Sequence, residues 1–100
     1  MPKYDVYRDP RGTQNLLLNV QADVLDTLET RMAIPLLPEK AATKLVRQLN
    51  PIFEITGKRY VLATQHMLAV PAGALRDNVG NVKDHYDAIT AAIDFLHQGF

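Results

Sequence analysis

The sequence predicts an α+β fold, a mostly antiparallel sheet followed by one C-terminal helix. Three observations carry that prediction. Runs rich in β-forming residues, such as Tyr4-Asp5-Val6-Tyr7 and Arg59-Tyr60-Val61-Leu62-Ala63, recur before residue 72. Turn-forming clusters, Asp9-Pro10-Arg11-Gly12 and Thr56-Gly57-Lys58, separate them. Near the C-terminus, Tyr86, Ile89, Ile93 and Leu96 recur at helical spacing.

The elements follow in order. Tyr4–Tyr7 alternates with period 2 and reads as a short strand. Asp9-Pro10-Arg11-Gly12 has the composition of a type I turn, and Leu16–Gln21 returns from it, so residues 3–21 form a hairpin. Thr30–Leu36 is the next strand. Pro35 near its end has no N–H, which places that end at a sheet edge or a bulge. Pro38–Leu49 fits either a helix or an irregular excursion. Ile52–Ile55 and Arg59–Ala63 pair around Gly57, which supplies the positive φ of a tight turn. Thr64–Met67 reads as one helical turn before Ala69-Val70-Pro71. Asp84 is placed to cap the last helix, Asp87 sits at the positive end of its dipole, and Gly99 suits the left-handed position past its end. Ala88, Ala91 and Ala92 keep the helix surface small, so the sheet or another helix approaches closely.

Composition narrows the function classes. The 100 residues make one domain, 1–100, with Lys+Arg balanced by Asp+Glu at 11 each. Zero net charge gives no electrostatic reason for broad nucleic-acid binding. With no cysteine, disulfides and Cys-based zinc sites are excluded, and a reducing compartment fits. Apolar runs such as Leu16–Leu18 and Ile34–Pro38 are far short of the ~20 residues a membrane span needs. The N-terminus has no apolar signal core. The expectation is a soluble, cytoplasmic protein without a membrane partner.

Candidate chemistry is sparse. The sequence has no serine, which excludes Ser-His-Asp catalysis, and its 5 glycines are scattered singly rather than forming a phosphate loop. His66, His85 and His97 have no metal-ligand spacing, and a charged His97 suits the C-terminal end of the helix dipole. Asp23 with Asp26, and Asp84 with Asp87, stand where turns and helix starts favour Asp, a better account than acid–base work. No cofactor motif appears and no residue is singled out as catalytic, while the Arg, His and Asp present stay compatible with a ribonuclease. Arg8 and Arg11 flank the first turn and suit an acidic peptide or plain solvation. Phe100 either caps the core or anchors a partner. The residues alone support a small domain that binds another protein.

Several blocks resemble the CcdB toxin family. Val20-Gln21-Ala22-Asp23-Val24-Leu25-Asp26-Thr27 and Arg31-Met32-Ala33-Ile34-Pro35-Leu36 are similar to its Val-Gln-Ser-Asp-(two aliphatics)-Asp and Arg-(Met/Leu)-Val-Ile-Pro-Leu patterns. Pro51-Ile52 with Ile55, then Ala63–Pro71, then Ala91–Leu96 closed by Gly99, match further blocks in order. The resemblance implies a dimer with an SH3-like antiparallel β-barrel core, a small additional sheet and a long C-terminal α-helix. It implies a non-enzymatic toxin of a type II toxin–antitoxin system. Such a toxin binds the dimerisation domain of the DNA gyrase A subunit and traps the gyrase–DNA cleavage complex. A CcdA-like antitoxin neutralises it. The gyrase-binding positions carry over to Ala22, Val24, Leu25, Asp94, Gln98, Gly99 and Phe100, and the antitoxin-binding positions to Arg8 and Arg11. The family helix ends Phe-Trp-Gly-Ile with Asn a turn earlier; here His97-Gln98-Gly99-Phe100 and Asp94 stand there. Two alternatives remain open. One is an endoribonuclease toxin of the MazF/Kid type on the same fold, using Arg31 and His66. The other is a toxin-derived protein that only binds its antitoxin.

Overall fold

The structure, a computed structural model, describes residues 2–99. Strand β1 is Asp5–Arg8 and β2 is Leu16–Asn19, paired antiparallel with Val6 opposite Leu18. The connecting turn is the expected one, closed by the Gly12 amide donating to the Asp9 carbonyl at 3.1 Å. The strand starts one residue later than its alternation suggests. Tyr4 has φ 75, outside the extended region, so the ladder cannot include it.

Strand β3, Thr30–Pro38, is longer than expected and central. One edge meets β2, from Leu16 opposite Leu36 to Asn19 opposite Ala33. The other edge meets two different strands, β5 (Lys58–Leu62) at Leu36–Pro38 and β6 (Leu68–Pro71) at Thr30–Ala33. Pro35 therefore lies inside the sheet, which corrects the expected edge or bulge. The reason is local. Its carbonyl accepts the Ala63 amide at 2.9 Å, so its nitrogen faces the same edge, between the end of β5 and the start of β6. No ladder donor is lost there.

Strand β4, Ile52–Ile55, pairs with β5 across a two-residue turn in which Thr56 and Gly57 have φ 51 and 80. Both central residues are left-handed, as a type I′ hairpin requires. The hairpin joins the main sheet through β3, so the strands form one continuous sheet, which corrects the expected small additional one. Strand β7, Asn78–Asn81, adds to the outer edge of β1. The seven strands run β4-β5-β3-β2-β1-β7, with β6 beside β3, and curl into a half-barrel of the SH3-like kind.

Helix α1, Tyr86–Gln98, closes the concave face. Ile89 and Ala92 reach the core formed by Val6, Leu18, Ile34, Leu36 and Leu62. Its ends do not follow the predicted stripe, because Tyr86 and Leu96 are exposed. The convex face holds a second cluster, Tyr7, Leu17, Ala33, Val70 and Leu75. Leu16-Leu17-Leu18 is apolar throughout because both faces of β2 are covered. Asp84 does not cap the helix. It lies in a 3₁₀ turn, Lys83–His85, and α1 begins without a side-chain cap. Gly99 is left-handed at φ 79 as expected, and its amide donates to the Phe95 carbonyl at 2.8 Å.

Pro38–Leu49 takes the irregular course, with one 3₁₀ turn at Glu39–Ala41. Leu45 and Val46 are exposed along it. Buried Asn50 holds the excursion instead. Its amide donates to the Leu62 carbonyl at 2.9 Å and to Gln65 Oε1 at 2.7 Å, and its oxygen accepts the Val46 amide at 3.1 Å. The Thr64 hydroxyl adds a bond to the Leu49 carbonyl at 2.6 Å.

A β-branched residue in the left-handed region costs about 1–2 kcal/mol, and Asn tolerates it far better. Thr56→Asn is therefore expected to raise unfolding stability by about 1 kcal/mol. Urea titration should show a higher midpoint with an unchanged slope.

Candidate functional site

The segment joining β2 to β3 displays apolar side chains to solvent. Asp23–Leu25 forms a 3₁₀ turn, and the Leu25, Asp26 and Leu28 amides close successive turns onto Ala22, Asp23 and Leu25. Val24 is 85% exposed, Leu25 46% and Leu28 49%. Three exposed apolar side chains thus lie close together in the chain, on one short segment. Ala22 is exposed beside them.

Two buried side chains hold this segment from within. The Arg31 guanidinium donates to the carbonyls of Asp26 and Leu28, to the Thr30 carbonyl at 2.9 Å and to Asp26 Oδ1 at 3.1 Å. Gln21 Nε2 donates to the Leu25 carbonyl at 2.9 Å, and Gln21 Oε1 accepts the Met32 amide at 3.2 Å. Asp23 accepts the Lys3 amide at 2.8 Å. Asp23 and Asp26 thus serve the loop, as their structural reading anticipated. Arg31 is only 5% exposed and its outer nitrogens are committed to carbonyls, so it presents no cation to a phosphate. His66 is exposed on the 3₁₀ turn after β5 and lines a hollow of about 220 Å³ with Asn50 and Lys44. The catalytic pairing that the endoribonuclease alternative gives to Arg31 and His66 has no support in this geometry.

The second cluster of expected residues lies on the last turn of α1. Asp94, Gln98 and Gly99 are all exposed there. Phe100, expected beside them, lies outside the described residues. The helix face rich in Ala and Ile is divided, with Ile89 and Ala92 filling the chain's own core while Ala88 and Ala91 face outward.

The two arginines of the first hairpin differ. Arg11 forks onto Asp9, with Nη2 to Oδ2 at 3.0 Å and Nε to Oδ1 at 3.1 Å. The Thr13 hydroxyl and the Arg11 amide donate to the same carboxylate at 2.7 and 2.9 Å. The Arg11 hydrogen bond, opposed by burial and reinforced by these donors, holds the Asp9 carboxyl down at about 2. Arg8 is exposed at the end of β1 and shares an open cavity of about 400 Å³ with Arg76 and Asp77. The sequence hinted at Arg8 and Arg11 equally; the short spacing to Asp9 was the available sign that Arg11 is already engaged.

Buried Asp5 is a further carboxylate that pattern reading missed. It accepts the amides of Asn78 at 2.9 Å and Asn81 at 2.8 Å, which fastens β7 to β1. The Tyr7 hydroxyl also donates to it, at 3.3 Å. Burial and the adjacent Asp5 charge push the Tyr7 phenol up.

The site residues named from the sequence thus fall in three places: an exposed apolar loop, an exposed helix end and a hairpin with basic residues. The family model for the CcdB protein matches residues 3–99. The chain belongs to the CcdB family. It is thereby a toxin of a toxin–antitoxin pair. The CcdB family is a gyrase poison rather than a classical enzyme family. Among the described residues no helix is long and apolar enough to cross a membrane.

Asp9 titrates at about 2 when folded against an ordinary 3.8, so its stabilisation is complete above about pH 4 and is lost as pH falls toward 2. Arg11 is largely exposed, so solvent screens the pair, and Asp9→Asn is expected to cost about 1–2 kcal/mol at neutral pH. Chemical denaturation at pH 7 and at pH 2 checks this. The difference between the two proteins should shrink at the lower pH.

Proposed function

We propose that this toxin binds the DNA gyrase A subunit and traps the gyrase–DNA cleavage complex. It acts by protein–protein contact, without a catalytic step or cofactor and without direct contact with nucleic acid. A CcdA-like antitoxin neutralises it. The working form is a homodimer of one-domain chains, 1–100, in the cytoplasm, with no membrane partner. The observation that carries this reading is the family match combined with the apolar display at Val24 and Leu25, two of the positions assigned to the target.

The contact surface comprises Ala22, Val24 and Leu25 on the loop and Asp94, Gln98, Gly99 and Phe100 at the helix end. The family's Trp is replaced by Gln98, so the helix end offers less apolar area than the family pattern. Val24 and Leu25 then take a larger share of the contact energy, since compact interfaces concentrate affinity in a few apolar anchors. Asp94 is exposed and hydrated in the free protein, and burial against gyrase requires a cationic or donor partner opposite it. Arg8 and Arg11 receive an acidic antitoxin segment. Arg8 is the stronger contributor, because Arg11 already satisfies Asp9.

The test is capture of the gyrase A dimerisation domain by purified wild-type toxin, Val24→Asp and Phe100→Ala. Wild type binds. A charge at position 24 should lower affinity at least about 30-fold, since it must be desolvated on binding. Failure of the folded wild-type dimer to bind would remove gyrase as the target.

A further inference from the structure

We infer that Arg31 and Gln21 are positioning residues, which clamp the loop between them so that Val24, Leu25 and Leu28 are held in one target-binding shape. This rests on the proposed contact role of that loop.

Every residue from Ala22 to Thr30 is exposed, so hydrophobic burial cannot hold the segment. Its turn bonds, Leu25 to Ala22 at 2.9 Å and Asp26 to Asp23 at 3.0 Å, close only single turns, and such turns are weak alone. The clamp comes from either end. Gln21 and Arg31 are 8% and 5% exposed, and between them they engage the carbonyls of Leu25, Asp26, Leu28 and Thr30. Gln21 is itself aligned, because its backbone amide donates to Asn19 Oδ1 at 3.2 Å.

A planar guanidinium reaches several carbonyls in a fixed fork, which the point charge of lysine cannot do. Arg31 Nε is buried without a hydrogen-bond partner. The two outer nitrogens both reach the loop. The functional consequence follows from ordering. A loop that samples many shapes binds with an affinity reduced by the fraction in the competent shape. That penalty falls on association, while contacts in the formed complex are unchanged.

The experiment measures association and dissociation rates of the gyrase A dimerisation domain on immobilised toxin. The variants are Arg31→Lys, Gln21→Glu, Val24→Asp and a core control, Ile55→Val. Gln21→Glu keeps an acceptor for Met32 and sets an anionic oxygen against the Leu25 carbonyl, which breaks that bond, so it decides the matter should Arg31→Lys not fold. Association should fall about tenfold in Arg31→Lys and about threefold in Gln21→Glu, with dissociation within about twofold of wild type. Hydrogen exchange should quicken at the Leu25, Asp26 and Leu28 amides and not in β2 or β3. Ile55→Val should lower Tm and leave association unchanged. Wild-type association in both clamp variants overturns the inference, as does an equal loss in Ile55→Val. If Val24→Asp still binds as wild type, the loop is no contact surface, and the inference falls together with the reading beneath it. If Val24→Asp fails to bind while both clamp variants associate normally, the inference alone falls.

Discussion

Strand β3 is hydrogen-bonded on both edges, and the other elements take their places from it. Its continuous partner is β2, while the opposite edge is divided between β5 and β6. Such a division leaves a gap of a few residues, filled by the 3₁₀ turn Thr64–His66. Pro35 occupies the one stretch of β3 where an amide would have had no ladder partner. A donor-bearing residue there would need some other acceptor, and an orphaned buried N–H costs about 1–3 kcal/mol. The proline thus fits the switch between strands rather than weakening the sheet.

That central strand also explains the two cores. Ile34 and Leu36 point to the concave face, where α1 brings Ile89 and Ala92, and Ala33 points to the convex face with Leu17 and Val70. One end of β3 begins at Thr30, beside the clamped loop, and Arg31 is its second residue. The buried position of Arg31 follows from the strand's alternation, and its reach toward the loop follows from its place at the strand's start. The same strand therefore anchors the core and the surface proposed for the target.

How much of this was legible in the sequence can be argued residue by residue. The first turn, the β4–β5 hairpin and the helix were written in residues whose local chemistry admits few alternatives: Asp9-Pro10-Arg11-Gly12, Gly57, and the spacing of Ile89 and Ile93. Strand β7 was not legible. Asn78-Val79-Gly80-Asn81 has low β propensity and is held by the amides of Asn78 and Asn81 on Asp5, residues far apart in the chain. The excursion after β3 was ambiguous because its helix-forming residues compete with a tertiary anchor, Asn50, that no local pattern displays. Pro35 was misplaced because a proline near a presumed strand end carries no sign of the strand that follows on the other edge. The candidate site was legible chiefly through family likeness. The exposed Val24 and Leu25 resemble ordinary core residues in sequence, and only the structure turns them outward.

The proposed function rests on two exposed patches, one held by Gln21 and Arg31 and the other at the end of α1. It also shifts the balance toward the loop, since Gln98 replaces an aromatic anchor. The most direct measurement is a hydrogen-exchange footprint of the toxin bound to the gyrase A dimerisation domain. The account predicts protection confined to the segment between β2 and β3 and to the last turn of α1. Protection centred on the β4–β5 hairpin or on the excursion after β3, with residues 22–28 exchanging as in the free protein, would contradict it.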